Sequence, residues 1–304
     1  MMTKRELLAL GSGAALLLGA SGSVFARSQL AVGTARLDVV SDGELSLPGS
    51  FLFQGLPEDE LRPILRRYGV SREQATPPCN LTLLRDGERT VLFDVGGGAN
   101  FMPGTGKVVE ALEAIGVDVA DITDVVFTHA HPDHLWGVLD DFDDPLFPEA
   151  RYHIARAEWD YWTDPDTVNT IGEARQAFAA GALRYLGAIE DAATRFDVGA
   201  EILPGVQAYA THGHTPGHTS FQVGSGTDAV MVVGDAIGNH HIAFERPDWE
   251  VFSDQDKAAG AAARVALLDR LASEKMRLIG YHLPFPGAGF AERKDGAYRF
   301  VPSS

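Results

Sequence analysis

Cysteine is nearly absent from this chain: its 304 residues include only one, Cys79. A single thiol excludes an intrachain disulfide framework and any zinc cluster built on paired cysteines. Basic residues are also scarce. Lys and Arg number 25 against 42 Asp and Glu, a formal net charge of −17. Such a surface repels a phosphate backbone, which disfavours nucleic acid as a partner, and anionic membranes are disfavoured on the same ground. Past residue 26 no apolar run reaches the length of a membrane span. Short-period repeats are missing too, which removes solenoid architectures. What remains is 45% apolar and 22% charged, the composition of a chain able to bury a sizeable core.

The first 26 residues stand apart. Lys4 and Arg5 precede an uncharged apolar and small-residue run, Leu7 to Phe25, and Val24-Phe25-Ala26 offers a cleavage site. This pattern predicts an export signal over residues 1–26, a single mature domain over 27–304, and a periplasmic or secreted protein. Thr3-Lys4-Arg5 is similar to a twin-arginine signal with Lys in the first position. Once the signal is removed, no stable membrane insertion is expected.

Strand-like and helix-like stretches alternate along the mature chain. Leu37–Val40 and Glu44–Leu47 read as short strands broken by Ser41-Asp42-Gly43, and Glu58–Tyr68 as a helix. Leu81–Leu84 and Thr90–Val95 read as a hairpin, followed by the flexible Gly96-Gly97-Gly98. The second half repeats this grammar, ending in an Ala-rich helix over 258–275 and a strand over 277–281. Two similar halves predict two sheets packed face to face with helices outside.

The chemistry is concentrated in the histidines. Thr128-His129-Ala130-His131-Pro132-Asp133-His134 places four metal-binding side chains within six residues. In an extended loop, residues i and i+2 point the same way, so His129 and His131 can reach one ion. Pro132 breaks the run and sends Asp133 and His134 elsewhere. Neutral imidazoles with a carboxylate suit a borderline divalent cation, zinc above all. Further donors stand where apolar strands empty into loops: His214, Asp235 and His282. Cys79 reads as a small buried residue with no base beside it.

H-x-H-x-D-H, then Gly213-His214-Thr215-Pro216-Gly217-His218, then Gly234-Asp235 after a strand, then a late His282, resembles the metallo-β-lactamase superfamily over nearly the whole mature chain. The resemblance implies a four-layer αββα sandwich. It implies that His129, His131 and His214 hold one divalent ion, that Asp133, His134 and His282 hold a second, and that Asp235 bridges them. It also implies that Asp94 is a buried partner of a ligand and that His218 orients the ligand loop. Within the superfamily, Phe147-Pro148-Glu149-Ala150, the run 157–162 and the tail 281–287 are similar to exported methyl parathion hydrolases and N-acyl homoserine lactone lactonases. Phe101, Trp162 and Phe178 are then the expected aromatic lining of a pocket for a small neutral or apolar substrate.

The expected enzyme is a metal-dependent hydrolase carrying two divalent ions. It would cleave a lactone, carboxylic ester or phosphotriester with a hydroxide shared between the ions, oriented by Asp133 as the catalytic carboxylate. The alternative is a metal- and ligand-binding protein of the same fold with little or no turnover. A homodimer is left open.

Overall fold

The computed structural model describes residues 28–303; the expected export signal lies outside the described residues. Fourteen of the strands form two seven-stranded sheets, laid down largely one after the other. The first runs, in spatial order, Ser28–Val32, Ala35–Glu44, Pro78–Asp86, Arg89–Phe93, Asp124–Val126, Arg151–Ala155 and Ala193–Phe196. Its early strands are antiparallel and its later joins parallel. The second holds Glu201–Leu203, Val206–Ala210, Thr219–Val223, Val230–Val232, Arg277–Ile279, Ala288–Lys294 and Ala297–Pro302. It is antiparallel except where Val230–Val232 runs beside Arg277–Ile279.

Alternation explains the layering, because residues i and i+2 of a strand share a face. Leu37 and Val39, with Phe93, Val126, Phe221, Val232 and Ile279, fill the space between the sheets. Residues of opposite parity, including Leu81, Leu83, Leu92 and Val125, face outward onto the helices Val108–Ala114, Arg156–Thr163 and Gln176–Ala188. Met231 and Leu278 pack in the same way under the helix Lys257–Glu274. The result is the expected four-layer αββα sandwich.

Two expectations need correction. The predicted break at 41–43 is a bulge within one strand, Ala35–Glu44, paired through Ser41 and Gly43. Asp42 fills it, fully buried, and accepts backbone N–H groups from Gly97, Gly106, Lys107 and Val108 at 2.8–3.1 Å. This carboxylate, not glycine flexibility alone, shapes the loop after Phe93. Residues 45–77 were legible only as one helix. They also fold a small ribbon, Leu47–Pro48 with Gln74–Ala75, and pack Phe53, Leu61 and Leu65 against Ile242 and Trp249.

Candidate metal centre

Parallel pairing brings the C-terminal ends of neighbouring strands to the same edge of a sheet, where loops can carry a site. Asp124–Val126 empties there into 127–134, and Val230–Val232 and Arg277–Ile279 empty into the loops holding Asp235 and His282. His214 arrives from the turn between Val206–Ala210 and Thr219–Val223. That turn hugs the helix Lys257–Glu274 so closely that a Cβ on Gly213 (φ +128°) would sit 2.1 Å from the Gly260 nitrogen.

All seven residues expected from the histidine and strand-end motifs meet at this edge. His129, His131 and His214 form one donor group, with their ligand atoms within 4.8 Å of one another. His129 also groups with His134 and Asp235, and Asp133 with His282 and Cys79. His214 Nε2 lies 2.9 Å from His131 Nδ1. Asp133 Oδ2 lies 3.4 Å from His134 Nε2 and 3.3 Å from His282 Nε2. Asp235 joins the groups: its Oδ2 is 3.3 Å from both His214 Nε2 and His282 Nε2, and its Oδ1 is 3.4 Å from His134 Nε2.

Each imidazole is aimed by a bond to its other nitrogen, which settles the ring and its tautomer. Asp94 Oδ2 takes His134 Nδ1 at 2.8 Å, and Asp94 also holds the Thr128 hydroxyl and N–H. Asp94 occupies the left-handed region (φ +60°), a costly conformation for a residue with a Cβ. Thr128 Oγ1 meets His129 Nδ1 at 3.1 Å, and the Pro78 carbonyl accepts from His282 Nδ1 at 2.8 Å. His218 Nε2 accepts the Asp235 N–H at 2.9 Å, so it orients a ligand residue.

The converging atoms are buried yet unpaired. His129 Nε2, His134 Nε2, Asp133 Oδ2 and Asp235 Oδ1 have no hydrogen-bond partner. Buried polar atoms without partners are costly, and a shared cation is what such a donor set satisfies. The electrostatics agree. Burial opposes charge on His282, but Asp235 and Asp133 overcome it and raise its pKa to about 10. Burial also opposes charge on His134, and Asp133, Asp235 and Asp94 again overcome it. Burial keeps His129 and His131 neutral, the form that ligates. The residues therefore fit two divalent ions: one on three neutral imidazoles, one on the carboxylate-rich side.

The metals' edge opens into a cavity of about 730 Å³. Phe101 and Phe178 line it, with Leu47, Phe51, Leu52 and Val70 from the 45–77 segment. Trp162 does not. It is 1% exposed, and its ring stands edge-on to His131 at 5.7 Å while its N–H donates to Glu158. Its place among the pocket aromatics is therefore withdrawn: a helix Arg156–Thr163 packed on the first sheet turns this face inward. The isolation expected for Cys79 is also wrong, since it groups with Asp133 and His282.

Asp254 was missed altogether. Its Oδ1 meets His214 Nδ1 at 3.1 Å and its Oδ2 pairs with the buried Arg264 at 3.1 Å. Nothing in Ser253-Asp254-Gln255-Asp256 marks one carboxylate above the other; only the loop's path back to His214 does.

The metallo-beta-lactamase superfamily model matches residues 76–282, which span every donor just described. The chain belongs to the metallo-beta-lactamase superfamily. Among curated relatives, this superfamily member is 30% identical over 115 residues to the N-acyl homoserine lactonase AttM of Azorhizobium caulinodans, and 31% identical over 118 residues to that of Agrobacterium fabrum. These alignments cover 38% of the chain and 41% of each relative. Among solved structures, it is similar to AidC, a dizinc quorum-quenching lactonase in complex with a product, N-hexanoyl-L-homoserine. That match has a TM-score of 0.85 at 29% identity, over 91% of this chain and 97% of that one. The hydrolase AbOPH shares the fold, with a TM-score of 0.85 at 24% identity, over 92% and 98% of the two chains.

Proposed function

We propose that this chain is a dinuclear, most fittingly dizinc, hydrolase of ester-type bonds, with N-acyl homoserine lactones as its substrate class. The observation that carries the proposal is Asp235. One carboxylate oxygen lies 3.3 Å from a histidine of each donor set, on the floor of an apolar cavity. Two divalent ions held there would supply an acidified water and a Lewis acid for the scissile carbonyl.

The chain's own groups supply the rest. Asp133 Oδ2 faces the cavity floor and is placed to take the proton of an attacking water. The Tyr281 hydroxyl donates to the Asp133 backbone carbonyl at 2.5 Å, which fixes the loop that carries this carboxylate. Phe101 and Phe178 flank the reacting end, and Leu47, Phe51 and Leu52 offer a dry path for an acyl chain. The product-bound lactonase of the same fold, at 29% identity, supports a lactone as the reacting group. Phosphotriesters and aryl carboxylic esters would use the same groups.

The test is steady-state hydrolysis by the metal-loaded enzyme of acyl homoserine lactones of graded chain length, an aryl ester and a phosphotriester. Lactones should give the highest kcat/KM, rising with chain length. Turnover no faster than with free metal for every compound would overturn the hydrolase reading. We further propose export, supported by the charged start and apolar run of residues 1–26. The native protein's intact mass should lack them.

A further inference from the structure

Glu158 is a fully buried carboxylate that the chemistry above does not use. Among the described residues no Lys or Arg pairs with it. Its two oxygens instead accept four hydrogen bonds. Oε1 takes the Ala130 N–H at 2.9 Å and the Trp162 indole N–H at 2.6 Å. Oε2 takes the Thr215 hydroxyl at 2.7 Å and the Gly217 N–H at 2.8 Å. Four donors occupy the four lone-pair sites of an ionised carboxylate.

The donors' positions matter more than their number. Ala130 stands between His129 and His131, and Thr215 directly follows His214. These two stretches leave different sheets, yet one carboxylate grips both. The approach is close: a Cβ on Gly217 would lie 2.1 Å from the Glu158 nitrogen. Trp162, held by the same carboxylate, sets its ring edge against His131. Between the two gripped loops, His131 Nδ1 and His214 Nε2 end up 2.9 Å apart.

Charge gives the arrangement a second effect. Three neutral imidazoles leave a divalent ion's charge uncompensated except by Asp235. A fixed carboxylate in a low-dielectric interior acts on a nearby cation far more strongly than one in water.

We propose that Glu158 is the positioning residue of the first metal position: it sets the spacing of His131 and His214 and supplies a buried negative charge beneath a three-histidine site. This rests on the dinuclear reading above. Outer partners of metal ligands commonly tune affinity by about 10- to 100-fold.

The experiment compares wild type, Glu158→Gln and Asp133→Asn. Stepwise zinc removal by a competing chelator gives two affinities per protein, and cadmium NMR of the substituted proteins gives one signal per site. Loss of a signal in Asp133→Asn identifies the second site. Glu158→Gln should weaken the first site about 10- to 100-fold and shift its cadmium signal, with the second affinity changed less than about threefold. Equal weakening of both sites, or wild-type affinities at both, would overturn the proposal. If Glu158→Gln does not fold, Trp162→Phe removes one donor and keeps the charge. It should still weaken only the first site, and an unchanged first-site affinity there would overturn the proposal as well. A wild-type protein that binds fewer than two ions would instead contradict the dinuclear reading itself.

Discussion

Asp133 concentrates the proposed chemistry in one carboxylate. Burial works against its ionisation, yet His134 and His282 hold its pKa well below the usual carboxylate range. It therefore stays charged and ready to bind a cation or take a proton. Asp133→Asn preserves shape and removes that charge. In a variant verified to hold metal, kcat should fall by on the order of 10² or more, with a much smaller change in KM. Unchanged turnover would refute the role. Phe101→Ala and Phe178→Ala touch no donor. Losing a large apolar contact costs about 1.5–3 kcal/mol, so these changes should raise KM for long-chain substrates roughly 10- to 150-fold and leave kcat nearly intact. An unaltered substrate ranking in both variants would remove these rings from the binding path.

Element by element, what could be read from the sequence divides along locality. The spacing of His129, His131, Asp133 and His134 is readable because six residues of backbone dictate it: an extended pair, then a turn begun by Pro132 at the first position of the helix Pro132–Leu135. The same holds for His214, Asp235 and His282, each next to an apolar strand. Asp254, Cys79 and Asp42 were not readable in this way. Each acts through contacts between segments distant in sequence: Asp254 reaches His214 across 40 residues, and Asp42 holds backbone up to 66 residues away. Trp162 was misplaced because its residue type suggests a pocket, whereas the helix that bears it points the ring into the core.

The loop 238–245 carries a pH consequence. His241 is buried, and its Nδ1 accepts the Ile242 N–H at 2.9 Å, capping the short helix Ile242–Glu245. Burial, with the neighbouring His240, lowers its pKa to about 3. A histidine depressed in the folded state stabilises the fold above its unfolded pKa of roughly 6.5, and that stability drains away as pH falls towards 3. His241→Asn keeps a capping acceptor but does not titrate. Urea melts at pH 7, 6 and 5 should show wild type losing about 1.4 kcal/mol per pH unit more than the variant below pH 6. Parallel losses would show that His241 does not stay neutral.

At the scale of the whole molecule, the sandwich brings two independent sets of loops to one edge. The first sheet delivers His129, His131, Asp133 and His134; the second delivers His214, Asp235 and His282. Neither half holds a complete site. Because ions bound between the halves are bound only by the folded chain, they should add to its stability by mass action. The account therefore turns on stoichiometry. The protein should be stripped with chelator, reloaded with zinc and freed of excess, and its metal then measured by elemental analysis against protein concentration. The account predicts about two zinc ions per chain, falling to about one in Asp133→Asn. One ion or none in the reloaded wild-type protein would contradict it.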